Sequence, residues 1–128
     1  MKLTEDNYVE LAEKAINNLK KKNGELVTTS KIRNLLAMTA DIYNQVVNLK
    51  EEKLSAELIG QINYMKIRFI YEAGREQQKE KRVKELIEEA DILTHIDEIK
   101  NSRKQYILFS RYMEALVAYR KFYGGRDE

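Results

Sequence analysis

The chain has 128 residues, 43% of them hydrophobic and 34% charged, with a net charge of +2. That length suits one domain over residues 1–128, able to bury about two-thirds of its unfolded surface. The absence of cysteine excludes disulfides, a thiolate nucleophile and a cysteine metal site, and no apolar run is long enough to span a bilayer.

The N-terminus, MKLTEDNYVELAEK, is polar and acidic and lacks the apolar centre of a signal peptide, so a cytoplasmic location is expected. A first helix is predicted from about Asp6 to Lys22, stopped at Asn23-Gly24. Tyr8, Leu11, Ala12, Ala15, Ile16 and Leu19 form one narrow apolar stripe, as in a helix that covers a core from outside. Lys20, Lys21 and Lys22 in its last turn suit the negative end of the helix dipole.

Thr28, Thr29 and Ser30 offer three N-caps in a row before a second helix, predicted from Lys31 to about Leu49. Its polar face is unusual: Asn34, Asp41, Asn44, Gln45 and Asn48 are nearly all uncharged, with Arg33 at the edge. Amides desolvate more cheaply than ions, so this face suits a wet contact with protein or nucleic acid.

A third helix is predicted from Ala56 to Arg75, after Ser55. Leu58, Ile59, Ile62, Met65, Phe69, Ile70 and Ala73 are expected on its core face. On the opposite side Tyr64, Arg68, Tyr71 and Arg75 follow at spacings of four, three and four, and so share a stripe. Guanidinium groups there could reach phosphates, and the rings could stack on bases or sugars. The structural alternative is a second packing layer, with both arginines paired to Glu57 or Glu72.

Residues 76–82, EQQKEKR, are expected to form an exposed turn or frayed helix. A fourth helix, about Lys81 to Ala90, and a short one through Leu93, Ile96 and Ile99 lead to a break at Asn101-Ser102. His95, the chain's one histidine, is expected on the surface of this acidic segment rather than at a metal.

The last helical stretch, Ser102 to Gly125, opens with a capping-box pattern, Ser102 and Gln105, and closes on Gly124. Two adjoining arcs, one through Tyr106, Phe109, Met113 and Leu116 and one through Leu108, Tyr112, Ala115, Tyr119 and Phe122, suit a central helix packed on two sides. Arg120 interrupts the first arc. Seven basic residues lie between Lys100 and Arg126 against Glu114 alone, a balance open to a polyanion partner or to internal neutralisation.

No strand-like alternation appears, so the fold class is all-α: a compact bundle of about five or six helices with the long C-terminal helix central. There is no phosphate-binding glycine loop and no nucleophile–base pair, which argues against an enzyme and against a resident cofactor.

Three stretches together resemble one family: TTSKIRNLL (28–36), YMKIRFIYEAGR (64–75) and SRYMEALVAYRKFYGG (110–125). They are similar to the small helical subunit of the type III-A CRISPR effector, the Csm complex of antiviral defence. The first helix and residues 76–101 carry no pattern matched to it. The resemblance implies a non-catalytic subunit, present in several copies beside the backbone subunits that hold guide RNA. Such a subunit lines the path of the target RNA paired to that guide and touches the large subunit. Target cleavage belongs to the backbone subunits. Carried onto this chain, the basic residues of the matching stretches become candidate RNA contacts: Lys31, Arg33, Lys66, Arg68, Arg75, Arg111, Arg120 and Lys121. Tyr64 and Tyr71, from the stripe on the third helix, complete the candidate set. A helical adaptor binding protein alone, and more weakly a DNA-binding regulator with its recognition helix at Thr29–Leu36, are the competing readings.

Overall fold

The computed structural model describes residues 2–23, 25–77 and 80–124. Six helices account for about three-quarters of them: α1 (Tyr8–Asn23), α2 (Thr29–Val46), α3 (Ala56–Gly74), α4 (Arg82–Glu89), α5 (Ile92–Asp97) and α6 (Arg103–Tyr123). No strand occurs among the described residues; Lys53 and Ser102 make an isolated bridge. The all-α expectation holds.

α6 is central because it packs along both α1 and α2, with α5 against it as well. Tyr106, Phe109, Tyr112, Met113 and Leu116 are buried along it. Each deep tyrosine hydroxyl has a carbonyl to satisfy it, Tyr106 donating to Thr39 at 2.7 Å and Tyr112 to Ala90 at 2.8 Å. Burial raises both phenol pKa values well above the ordinary 10.0. Of the two arcs, Phe122 departs from expectation. It stands at the solvent-facing end of α6 and is 78% exposed.

The caps explain the helix bounds. Thr28 accepts from the Lys31 amide at 3.2 Å, so α2 begins at Thr29, earlier than Lys31. It ends at Val46, short of Leu49, where the Arg103 side chain takes the Val46 and Val47 carbonyls at 3.1 and 2.9 Å. Ser55 caps α3 through the Leu58 amide at 3.2 Å. Ser102 caps α6 through the Gln105 amide at 3.1 Å, but the Gln105 side chain donates to the Leu3 carbonyl at 3.0 Å instead. The expected capping box is thus half-formed. The Ile99 carbonyl takes the Ser102 amide at 2.9 Å in its place, and Glu52 adds a second cap, accepting from the Lys104 amide at 2.8 Å and the Ser102 hydroxyl at 3.2 Å. The Lys104 amide bond is the main cause of the Glu52 carboxyl pKa lying below its ordinary value.

Two expectations are corrected. The polar run after α3 is not simply exposed: the Glu76 side chain is 3% exposed, accepting from the Val83 amide at 2.9 Å and pairing with Lys31 at 2.9 Å. A carboxylate from outside α4 therefore caps its first turn. His95 is not on the surface either. Its ring is buried edge-on against Tyr112, centroids 5.2 Å apart, with Nδ1 3.1 Å from Glu98.

Candidate nucleic-acid interface

α3 packs on α2, α4 and α5 through Leu58, Ile62, Met65 and Phe69. The remainder of its circumference faces outward. Tyr64 is 60% and Tyr71 59% exposed, and Arg68 and Arg75 are exposed beside them. The tyrosines form no second packing layer. Arg75 lies 3.6 Å from Glu72, an exposed pair of little energetic weight, and Arg68 makes no ion pair among the described residues.

Two crevices run along the α2–α3 seam. One, about 770 Å³, is lined by Ser30, Lys31, Arg33, Glu72, Arg75 and Glu76 among others. The next, about 660 Å³, takes in Met38, Asp41, Ile42, Glu57, Tyr64 and Arg68. The fold thus gathers Arg33, Tyr64, Arg68, Tyr71 and Arg75 on one side of the molecule. Carboxylates share it: Glu72 and Glu76 in the first crevice, Asp41 and Glu57 in the second. The charge on this side is mixed, which suits scattered backbone contacts better than a deep anion pocket.

The other candidates fall elsewhere or are engaged. Lys31 lines the first crevice but is held by Glu76. Lys66 pairs with Asp97 at 2.6 Å, tying α3 to α5. Arg111 and Lys121 are exposed on α6, which packs on α1 and α2, and they line neither crevice. Arg120 is 1% exposed; Nε donates to the Val27 carbonyl and Nη1 to the Gly124 carbonyl at 3.2 Å. Its guanidinium sits in the core, out of reach of a nucleic-acid backbone.

The amide face of α2 is partly used within the fold. Gln45 and Gln61 exchange amide hydrogen bonds of 2.8 and 3.2 Å between α2 and α3, and Asn48 donates to the Asn44 carbonyl at 3.1 Å. Sequence reasoning also missed the apolar character of the outer face of α3. Ile67 is 59% exposed between the two tyrosines, and Ile70, expected in the core, is exposed as well. The signal was the angular position of Ile67, which at about 100° per residue falls between Tyr71 and Gly74.

Among the described residues no group of three or more His, Asp or Glu side chains is placed to hold a metal, and no helix is long and apolar enough to cross a membrane.

Comparison with known proteins decides the family. A model of the Csm2 type III-A family matches residues 3–126. The chain belongs to that family. The match takes in the first helix and residues 76–101, which the three sequence motifs left out. A relative from Streptococcus thermophilus, named CRISPR system Cms protein Csm2, is 49% identical over 127 residues, 98% of each chain. Proteins of the same name from Mycobacterium tuberculosis strain CDC 1551 and from Enterococcus italicus are 35% and 38% identical. The first match covers all of both chains, the second 76% of this chain and 68% of the relative.

Proposed function

We propose that this Csm2-family chain is a non-catalytic structural subunit of a cytoplasmic type III-A CRISPR ribonucleoprotein. Several copies stack along the guide RNA–target RNA path, beside the backbone and large subunits, and contact the RNA backbone. The observation that carries the RNA contact is the α3 stripe. Arg68 and Arg75 stand exposed beside Tyr64 and Tyr71, and Arg33 joins Arg75 in the adjoining crevice. Side chains that the fold does not need for packing are held there on a rigid helix. A subunit that must accept any target sequence gains from phosphate and ribose contacts, which position without reading bases. Few contacts per copy suffice when repetition supplies avidity. The modest net charge of +2 is no obstacle to that role. Arg111 and Lys121 on α6 are secondary candidates.

The test replaces Arg68 and Arg75 together by Ala in the reconstituted complex. Both side chains are exposed, so the unfolding free energy should stay within about 0.5 kcal/mol of the parent. Retention of target RNA should weaken, and each lost phosphate contact should flatten the salt slope by about 0.7 for single-stranded RNA. A second reading, an adaptor that binds protein alone, draws on the exposed Ile67 in the same face. Unchanged RNA retention with failed incorporation of the subunit would decide for that adaptor.

A further inference from the structure

Lys31 is placed like an RNA contact but bonded like a structural lysine. It lines the first α2–α3 crevice together with Arg33 and Arg75, the two arginines of the proposed backbone contact there. Its side chain is 40% exposed, yet its ammonium lies 2.9 Å from a Glu76 carboxylate that is 3% exposed. An ion pair between two exposed side chains has little energetic weight. This pair differs, because one partner is out of water and depends on its counter-ion.

Glu76 is held there by its other oxygen. Oε1 accepts from the Val83 amide at 2.9 Å in the first turn of α4, while Oε2 accepts from Lys31 Nζ at 2.9 Å. Lys81, the residue before α4, supplies no side-chain cap, so the open amides and positive dipole end of that helix fix the carboxylate. One side chain just past the end of α3 thus ties the start of α4 to the start of α2.

A carboxylate with one oxygen on a backbone amide and the other on an ammonium makes the contacts a phosphate would make. The structure assigns to Glu76 the part of a built-in competitor, which occupies Lys31 and withholds it from the RNA backbone. This inference rests on the proposed RNA contact and adds its regulation. Arg33 makes no ion pair among the described residues, and Arg75 has the loose one with Glu72 at 3.6 Å. The crevice therefore offers two cations to RNA and keeps a third in reserve. Its three cations are balanced by Glu72, Glu76 and Glu80, so it attracts a polyanion weakly while the lock is closed. Opening of the first turn of α4 would expose Glu76 to water, where the pair loses its weight and Lys31 is released. By linkage, RNA held by Lys31 would favour that opening in return.

The test compares Lys31→Gln, Glu76→Gln and the double variant in the reconstituted complex, with target-RNA retention followed against salt. Glu80→Gln is the control for charge, since Glu80 is exposed on the same crevice and is not the partner of Lys31. Glu76→Gln keeps an oxygen for the Val83 amide, so α4 stays capped. Lys31→Gln alone should leave retention at the parental value, because the ammonium is already taken. Glu76→Gln should tighten retention and steepen the salt slope by about 0.7 per engaged copy, about fivefold at 0.1 M salt. Glu80→Gln should gain less, and adding Lys31→Gln to Glu76→Gln should abolish the gain. Weaker retention by Lys31→Gln alone would show that Lys31 already holds RNA, and would overturn the lock whether or not Glu76→Gln folds. So would equal gains from Glu76→Gln and Glu80→Gln, or a gain that survives the loss of Lys31. The two readings fail separately. Retention lost when Arg68 and Arg75 are replaced but unmoved by Glu76→Gln sinks the lock and leaves the RNA contact. Retention unmoved by any of these replacements sinks the RNA contact and the lock with it.

Discussion

Arg120 is a guanidinium at a position where α6 otherwise turns apolar side chains inward. Burying it is tolerable because carbonyls from two segments come to it: Val27 in the α1–α2 connection and Gly124 just past the helix end. It thus acts as a stitch, fastening the C-terminal turn of α6 to the residues that lead into α2. A hydrogen bond to a charged group is worth about 1.5–3 kcal/mol, and Ala leaves the Val27 carbonyl buried without that donor. Arg120→Ala should therefore lower unfolding free energy by about 3 kcal/mol in a denaturant melt. A melt matching the parent would mean that neither carbonyl depends on it. RNA retention per folded molecule should not change, which separates Arg120 from Arg68 and Arg75. Sequence reading found Arg120 as an exception but could not assign its partners, since a buried cation and a contact cation look alike in a helical wheel. His95 failed for the same reason. Its acidic surroundings suggested solvent, while the edge-on contact with Tyr112, distant in sequence, decided burial.

At the scale of elements, local chemistry and partner contacts were legible to different degrees. Ser55 and Ser102 were readable as caps because the cap and the amide it accepts lie three residues apart. The end of α2 was not readable, because Arg103 closes it from more than fifty residues away. The stripe on α3 was legible in its arginines and tyrosines, whereas the exposure of Ile67 beside it was not. Apolar periodicity marks a second buried face and an exposed docking face in the same way. Glu76 is the clearest case of a distant cap. It lies in a polar run that reads as solvent, yet its carboxylate holds the Val83 amide and Lys31 at once. α4 has only eight residues and its preceding residue, Lys81, gives no side-chain cap, so this carboxylate substitutes for one. Glu76→Ala should destabilise by about 0.5–2 kcal/mol, the range for a lost N-cap. Amide hydrogen exchange should locate the loss: faster at the start of α4, near parental in α6. Uniform acceleration across all six helices would show that α4 has no separate opening and that the cap is not its particular fastening.

For the whole molecule, the groups whose pKa values the fold displaces set both edges of its stability. Glu52 is a carboxylate whose pKa is lowered, mainly by the Lys104 amide it accepts and further by the Ser102 hydroxyl. Its contribution is fully present above the ordinary carboxylate value of 4.5 and is lost as pH falls through its lower folded value. Tyr106 and Tyr112 work in the opposite direction. Their neutral forms are favoured, first by burial and then by nearby carboxylates: Asp41 for Tyr106, Asp91 and Glu89 for Tyr112. Because the folded pKa is raised, that contribution is complete below the ordinary tyrosine value of 10.0 and declines as pH climbs beyond it. Both phenols donate to backbone carbonyls and so join α6 to α2 and to the C-cap of α4. Ionising either phenol removes a donor and places a charge in the centre of the bundle. Tyr106 and Tyr112 should therefore stay un-ionised above the ordinary value of 10.0, and should ionise together with loss of helicity. Tyrosinate absorbance and circular dichroism followed on one alkaline titration would check this. Tyr106→Phe should bring alkaline unfolding under less direct control of phenol ionisation, leaving Tyr112 as the remaining delayed group in the core. Smooth titration of all eight tyrosines in the ordinary range, with helicity intact, would mean that α6 is not the sealed centre about which the other helices are packed.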